Sequence, residues 1–170
     1  MGTKQTTFLS ECRSTFDRAF LEPHTWTGGQ VTGNKADFCA LPAYRRGGVC
    51  RTNEGIELGD LRTSLNGWTV VVEYESEAMV VQNLIKYWPY LRGELSSTPA
   101  EPIVIVHFSD WKSWGSFRDL WIWTRDRMIE DKTRKVSFVA EQFDHGGVAQ
   151  DVLQKNIGAA VSFVRQSISS

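Results

Sequence analysis

DLRTSLNGWTVVVEYE, residues 60–75, reads as two β-strands joined by a two-residue turn. Asn66-Gly67 between two β-rich runs is the strongest short-range signal for such a hairpin, because both residues accept the positive φ that the turn needs. With those two residues as the loop, Leu65 faces Trp68, and counting outward pairs Ser64 with Thr69, Arg62 with Val71, Asp60 with Glu73 and Leu58 with Glu75. Side chains alternate between the faces of a strand. Leu61, Leu65, Trp68, Val70, Val72 and Tyr74 therefore form a mostly apolar side that packs on the core. Asp60, Arg62, Ser64, Thr69, Glu73 and Glu75 form the other side, and three of these six are acids.

Like charges placed opposite one another destabilise a sheet. A divalent cation removes the repulsion, and Mg²⁺ (or Mn²⁺) takes one or two carboxylates together with water and a phosphate oxygen. Asp60, Glu73 and Glu75 are accordingly the candidate metal ligands. The competing reading is a solvated sheet face on which Arg62 neutralises its neighbour Asp60. A bulge would break the count, since a slip of one residue moves every side chain to the opposite face.

The chain of 170 residues is the size of one domain. With 41% hydrophobic and 23% charged residues it reads as soluble and globular. A net charge of −1 gives no global basic field, so binding to nucleic acid would rely on local patches. Cys12, Cys39 and Cys50 contain no CxxC pair and read as reduced thiols of a cytoplasmic protein, with a zinc site from Cys39, Cys50 and a histidine as a minor alternative. No signal peptide opens the chain and no apolar run is long enough to span a membrane.

Outward from the hairpin, the pattern predicts a helix over about 6–20, with Phe8, Leu9, Cys12, Phe16 and Phe20 on one stripe, and a glycine-rich loop over 24–35. One or two short strands fall in 38–51. A strand then runs from Ile56 to Leu65 and forms a meander with Trp68–Glu75. Ser76 can cap a helix running to Leu91, with Pro89 kinking or ending its last turn. A buried strand over Ile103–His107, a helix over 113–130, a strand over 136–141 and a last helix over 148–167 follow. Strands alternating with helices imply parallel crossovers onto one sheet covered on both sides.

This order, with acids at those places, resembles the PD-(D/E)xK nuclease superfamily, whose core is a helix, a three-strand meander, a helix and a strand. In that family the first acid ends or bends a meander strand, and the next strand carries an acid, any residue and a lysine. Asp60 matches the first acid and Glu73 the second. Glu75 stands where lysine is usual, a variant found in some restriction endonucleases. Asn83-Leu84-Ile85-Lys86-Tyr87 is similar to the Gln-x-x-x-Tyr motif of the RecB-like branch, with Asn83 in place of glutamine, and Lys86 is a displaced substitute for the missing lysine.

The resemblance implies an α/β restriction endonuclease-like fold, a central mixed sheet flanked by helices, and a Mg²⁺-dependent endonuclease acting on DNA. Asp60 and Glu73 would hold a metal that polarises the phosphate. Glu75 would take the proton of the attacking water or join a second metal, and Lys86 or Arg62 would stabilise transition-state charge. Asn83, Arg62, Arg45 and Arg46 are the expected substrate-binding residues. His107, ending its strand, either meets the acids from a neighbouring parallel strand or is a hydrogen-bonded core residue.

Arg45, Arg46 and Arg51, and the basic residues from Lys112 to Lys135, are candidate phosphate contacts or ordinary surface charge. The Trp-rich segment 113–130 is either a thick core helix or an interface for a homodimer or larger assembly. The alternative function is a catalytically inactive nuclease-like domain that binds nucleic acid or serves as an assembly subunit.

Overall fold

The structure is a computed structural model describing residues 3–28, 35–37, 55–76, 80–94, 100–112 and 117–169. Its elements run α1 (Thr3–Ala19), β1 (Lys35–Asp37), β2 (Gly55–Glu57), β3 (Leu61–Leu65), β4 (Trp68–Tyr74), α2 (Gln82–Ile85), α3 (Trp88–Leu91), β5 (Ile103–Ser109), α4 (Arg118–Glu130), β6 (Phe138–Asp144), a 3₁₀ turn (Gly146–Val148) and α5 (Gln150–Ile168).

The hairpin has the register that its turn dictates: Leu65 lies opposite Trp68, Ser64 opposite Thr69 and Arg62 opposite Val71. Asn66 at φ 51° and Gly67 at φ 76° supply the two positive φ angles of the turn. The sheet continues in the order β3-β4-β5-β6. β3 and β4 are antiparallel, whereas β4–β5 and β5–β6 are parallel. Thr27 adds an antiparallel bridge to Arg62 at the outer edge of β3.

Both faces of this mixed sheet are covered. Val70, Val72, Tyr74, Val104, Val106 and Phe108 pack against Phe8, Cys12 and Phe16 of α1 and Leu153, Ile157 and Val164 of α5. On the opposite face Val71, Ile103, Ile105, Phe138 and Ala140 pack against Leu84, Tyr87, Leu91, Trp121 and Met128. The near-continuous apolar runs of β4 and β5 follow from this arrangement, since parallel strands roofed on two sides have no solvent face to fill with polar residues.

Among the expected boundaries that shift, four do so for a local reason. The strand expected over Ile56–Leu65 breaks at Leu58–Asp60: β2 pairs with β1 outside the main sheet, and Gly59 turns the chain at φ 93°. Leu58 therefore packs into the core rather than pairing with Glu75. The helix expected over 76–91 is two short helices, α2 and α3, with Val81 rather than Ser76 preceding the first. Pro89 sits in the first turn of α3, where its missing N–H is harmless, and it cannot continue a helix already begun at Gln82. α4 begins at Arg118, because Phe117 has ψ 38° and is not helical. α5 begins at Gln150, after positive φ at Gly146 and Gly147. The short strands expected in 38–51, with Cys39 and Cys50, lie outside the described residues. Among the described residues no helix is long and apolar enough to cross a membrane.

Candidate active site

The parallel strands β4 and β5 end side by side, with Glu73 in register with His107 and Tyr74 with Phe108. Ligands of open α/β sheets gather at such carboxyl ends. Here the strand ends carry Glu73, Glu75 and His107 on the face roofed by α2, α3 and α4.

Asp60 reaches this edge through the break in its strand. Its own N–H donates to the Val72 carbonyl at 3.0 Å, and its Oδ2 accepts from the Tyr74 N–H at 2.7 Å. The first acid thus brackets Glu73, as counting from the turn predicts, with its carboxylate standing in for a backbone carbonyl. Gln5 of α1 donates to Oδ1 at 2.9 Å. Gly59 makes the bend possible, since a Cβ there would lie 2.6 Å from Val71 Cγ1.

Glu73 is 2% exposed. Its Oε1 accepts from the Tyr87 hydroxyl and lies 2.8 Å from Lys86 Nζ. Burial pushes its carboxyl up to about 7, outweighing the opposing pull of Lys86 and Tyr87, and the charge of Asp60 adds to the rise. Burial and Glu73 together hold the Tyr87 phenol well above its usual range, so it remains a donor. Lys86, in the turn between α2 and α3, is the cation of the site.

Glu75 faces a different set of partners. Its Oε1 accepts from Asn83 Nδ2, and His107 Nε2 lies 3.4 Å away. Asn83 Oδ1 in turn accepts from Lys86 Nζ at 3.3 Å, so one amide links the two glutamates through the lysine. His107 is fully buried, and burial lowers its pKa. Trp121 Nε1 donates to its Nδ1 at 2.9 Å.

Of the expected site residues, Asp60, Glu73, Glu75, Asn83 and Lys86 come together. Arg62 lies on β3 with its charge felt at Tyr87. Arg45 and Arg46 lie outside the described residues. Among the described residues no group of three His, Cys, Asp or Glu side chains is arranged to hold a metal ion. The three-carboxylate patch is thus not assembled as one ligand set: Glu75 turns to Asn83 and His107, leaving Asp60 and Glu73 as neighbours. Two carboxylates are within the number that Mg²⁺ takes from a protein, but both are already engaged, Asp60 by Gln5 and the Tyr74 N–H and Glu73 by Tyr87 and Lys86.

Sequence reasoning did not single out Gln5 or Trp121, whose contacts come from helices docked across the sheet. Tyr87 was visible in the Asn83–Tyr87 motif and on the apolar face of the expected helix with Val80, Leu84 and Leu91, but not as a partner of Glu73. Of the basic cluster, Arg125 and Arg127 are engaged with Asp126, Glu141 and Glu130. Comparison with protein-family models, with curated proteins and with solved structures found no match.

Proposed function

We propose that the chain is a metal-dependent nuclease of restriction endonuclease-like fold, hydrolysing phosphodiester bonds of DNA. The observation that carries this reading is Lys86 Nζ, 2.8 Å from the buried Glu73 carboxylate beside Asp60. On this reading the lysine in the turn after α2 stands in for the missing strand lysine. The acid at Asp60, the helices after β4 and the parallel β5 follow part of the order of the PD-(D/E)xK core, although β2, the expected first strand of the meander, lies outside the main sheet.

Asp60 and Glu73 would hold Mg²⁺, which supplies Lewis-acid polarisation of the phosphate. Tyr87 fixes the Glu73 carboxylate, and Gln5 and the Tyr74 N–H fix that of Asp60. Lys86 places positive charge where the phosphoryl oxygens become more negative. Glu75, whose side chain is 15% exposed, can be reached by water and accepts the proton of the attacking water. Asn83 keeps Glu75 and Lys86 at a fixed separation.

A second reading is favoured by the partners already present. Each acid is satisfied within the protein, as expected of a silent nuclease-like domain that binds nucleic acid or assembles with other proteins. Two measurements separate the readings. Plasmid, single-stranded DNA and RNA are incubated with Mg²⁺ or with chelator, and the nuclease reading requires cleavage of DNA that chelator stops. Calorimetry with Mn²⁺ should show binding by the native protein, loss of binding in Glu73→Gln and retention in Glu75→Gln. No cleavage and no Mn²⁺ binding by the native chain would select the silent domain.

A further inference from the structure

His107 takes no part in the chemistry assigned above, yet it is a fully buried polar side chain beside it. It is 0% exposed and lies on β5 directly beside Glu73. The indole N–H of Trp121 can only donate, so the 2.9 Å contact makes His107 Nδ1 an acceptor. In the neutral ring the proton then sits on Nε2. That buried N–H has no hydrogen-bond partner among the described residues, and Glu75 Oε1 lies 3.4 Å from it, just outside hydrogen-bond geometry. An unsatisfied buried donor is costly, and a small rotation of the Glu75 carboxylate would satisfy it.

We propose that His107, fixed by Trp121 as its Nε2–H tautomer, is a positioning residue that holds the Glu75 carboxylate toward the attacking water. The role of Glu75 rests on the nuclease reading; the tautomer does not. Trp121, on α4, His107, on β5, and Glu75, just beyond β4, form a relay across the sheet. It ends on the same carboxylate oxygen that Asn83 holds from the other side. Burial lowers the pKa of His107 and thereby supports its neutral form.

Nitrogen NMR of the imidazoles in the native protein should show His107 as the Nε2–H tautomer. Trp121→Phe should shift its Nδ1 resonance, and Glu75→Gln its Nε2–H resonance. In single-turnover cleavage, His107→Leu should lower the rate at least about tenfold while Mn²⁺ affinity stays within about twofold. His107→Gln, which presents an N–H near the position of Nε2, should recover much of the loss. An Nδ1–H tautomer, an Nε2–H resonance indifferent to Glu75→Gln, or native cleavage rates in a folded His107→Leu protein would overturn the inference. If the native chain cleaves no polymer, the nuclease reading fails and the resonances alone decide whether His107 holds Glu75. If His107→Leu does not fold, His107→Gln and the Glu75→Gln resonance test still decide.

Discussion

Glu73 is the residue on which burial and charge most directly oppose each other. Its carboxyl, pushed up to about 7 from an ordinary 4.5, is favoured in its neutral form by the fold. The folded protein then holds a proton that the unfolded chain has released, so this group's contribution to stability is full below pH 4.5. It is lost as pH rises to about 7, by an amount on the order of 3 kcal/mol. Urea unfolding of native and Glu73→Gln proteins between pH 4.5 and 7.5 should show the decline in the native protein and a flatter profile in the variant; parallel profiles would contradict it. The face and register of the acids were legible in the sequence because strand alternation and the Asn66-Gly67 turn fix them, whereas Lys86 was reached only through the resemblance of Asn83–Tyr87 to a family motif. Gln5 and Trp121 were not legible, since their contacts depend on how α1 and α4 dock, and no local pattern encodes that. That His107 meets the acids from a parallel strand was one of two readings the sequence left open, and it lies 3.4 Å from Glu75; that Asn83 takes Glu75 away from Asp60 and Glu73 was hidden, because side-chain partners follow from tertiary packing.

At the scale of elements, the site depends on two interruptions. Gly59 at φ 93° breaks the first strand and swings Asp60 beside Glu73. A Cβ at this position meets Val71 Cγ1 at 2.6 Å and the Leu61 carbonyl at 3.0 Å in a backbone region that alanine disfavours. Gly59→Ala should cost about 2 kcal/mol or more in urea unfolding and weaken Mn²⁺ binding. Equal stability and equal binding would mean that the bend does not place Asp60. The second interruption, at Lys86-Tyr87 between α2 and α3, turns both side chains onto Glu73; Pro89 pointed to a disturbance, but one in the last turn of a single helix. The bend at Gly59 was harder to read, because residues 56–65 still look like one continuous strand by composition. α1 matters to the site through packing as well. The Phe8 ring lies 4.5 Å from Tyr74 and 4.8 Å from Phe108, one turn from Gln5. Phe8→Ala should cost about 3–5 kcal/mol and lower the denaturant midpoint accordingly.

For the molecule as a whole, the second half of the fold was the most readable part, since strands alternating with helices leave few topologies other than parallel crossovers. Its outer surface adds a feature: Phe117, just before α4, and Leu120 and Trp123 on it are 58%, 48% and 57% exposed. A nuclease that cuts both strands needs two sites, so the nuclease reading expects a homodimer, with this face as its interface. Sedimentation of the native protein should then give a dimer, and Leu120→Glu combined with Trp123→Glu a monomer with its fold intact; a native monomer at all concentrations would exclude this assembly. The proposed function makes Asp60, Glu73 and Lys86 one hydrolytic site. Its most direct test is the rate of DNA cleavage in Mg²⁺ by the native protein and by folded Lys86→Met and Glu73→Gln variants. Chelator-sensitive cleavage that falls by roughly a hundredfold or more in each variant is the predicted result, and a native protein that leaves DNA intact, or a Glu73→Gln variant that cuts at the native rate, would contradict it.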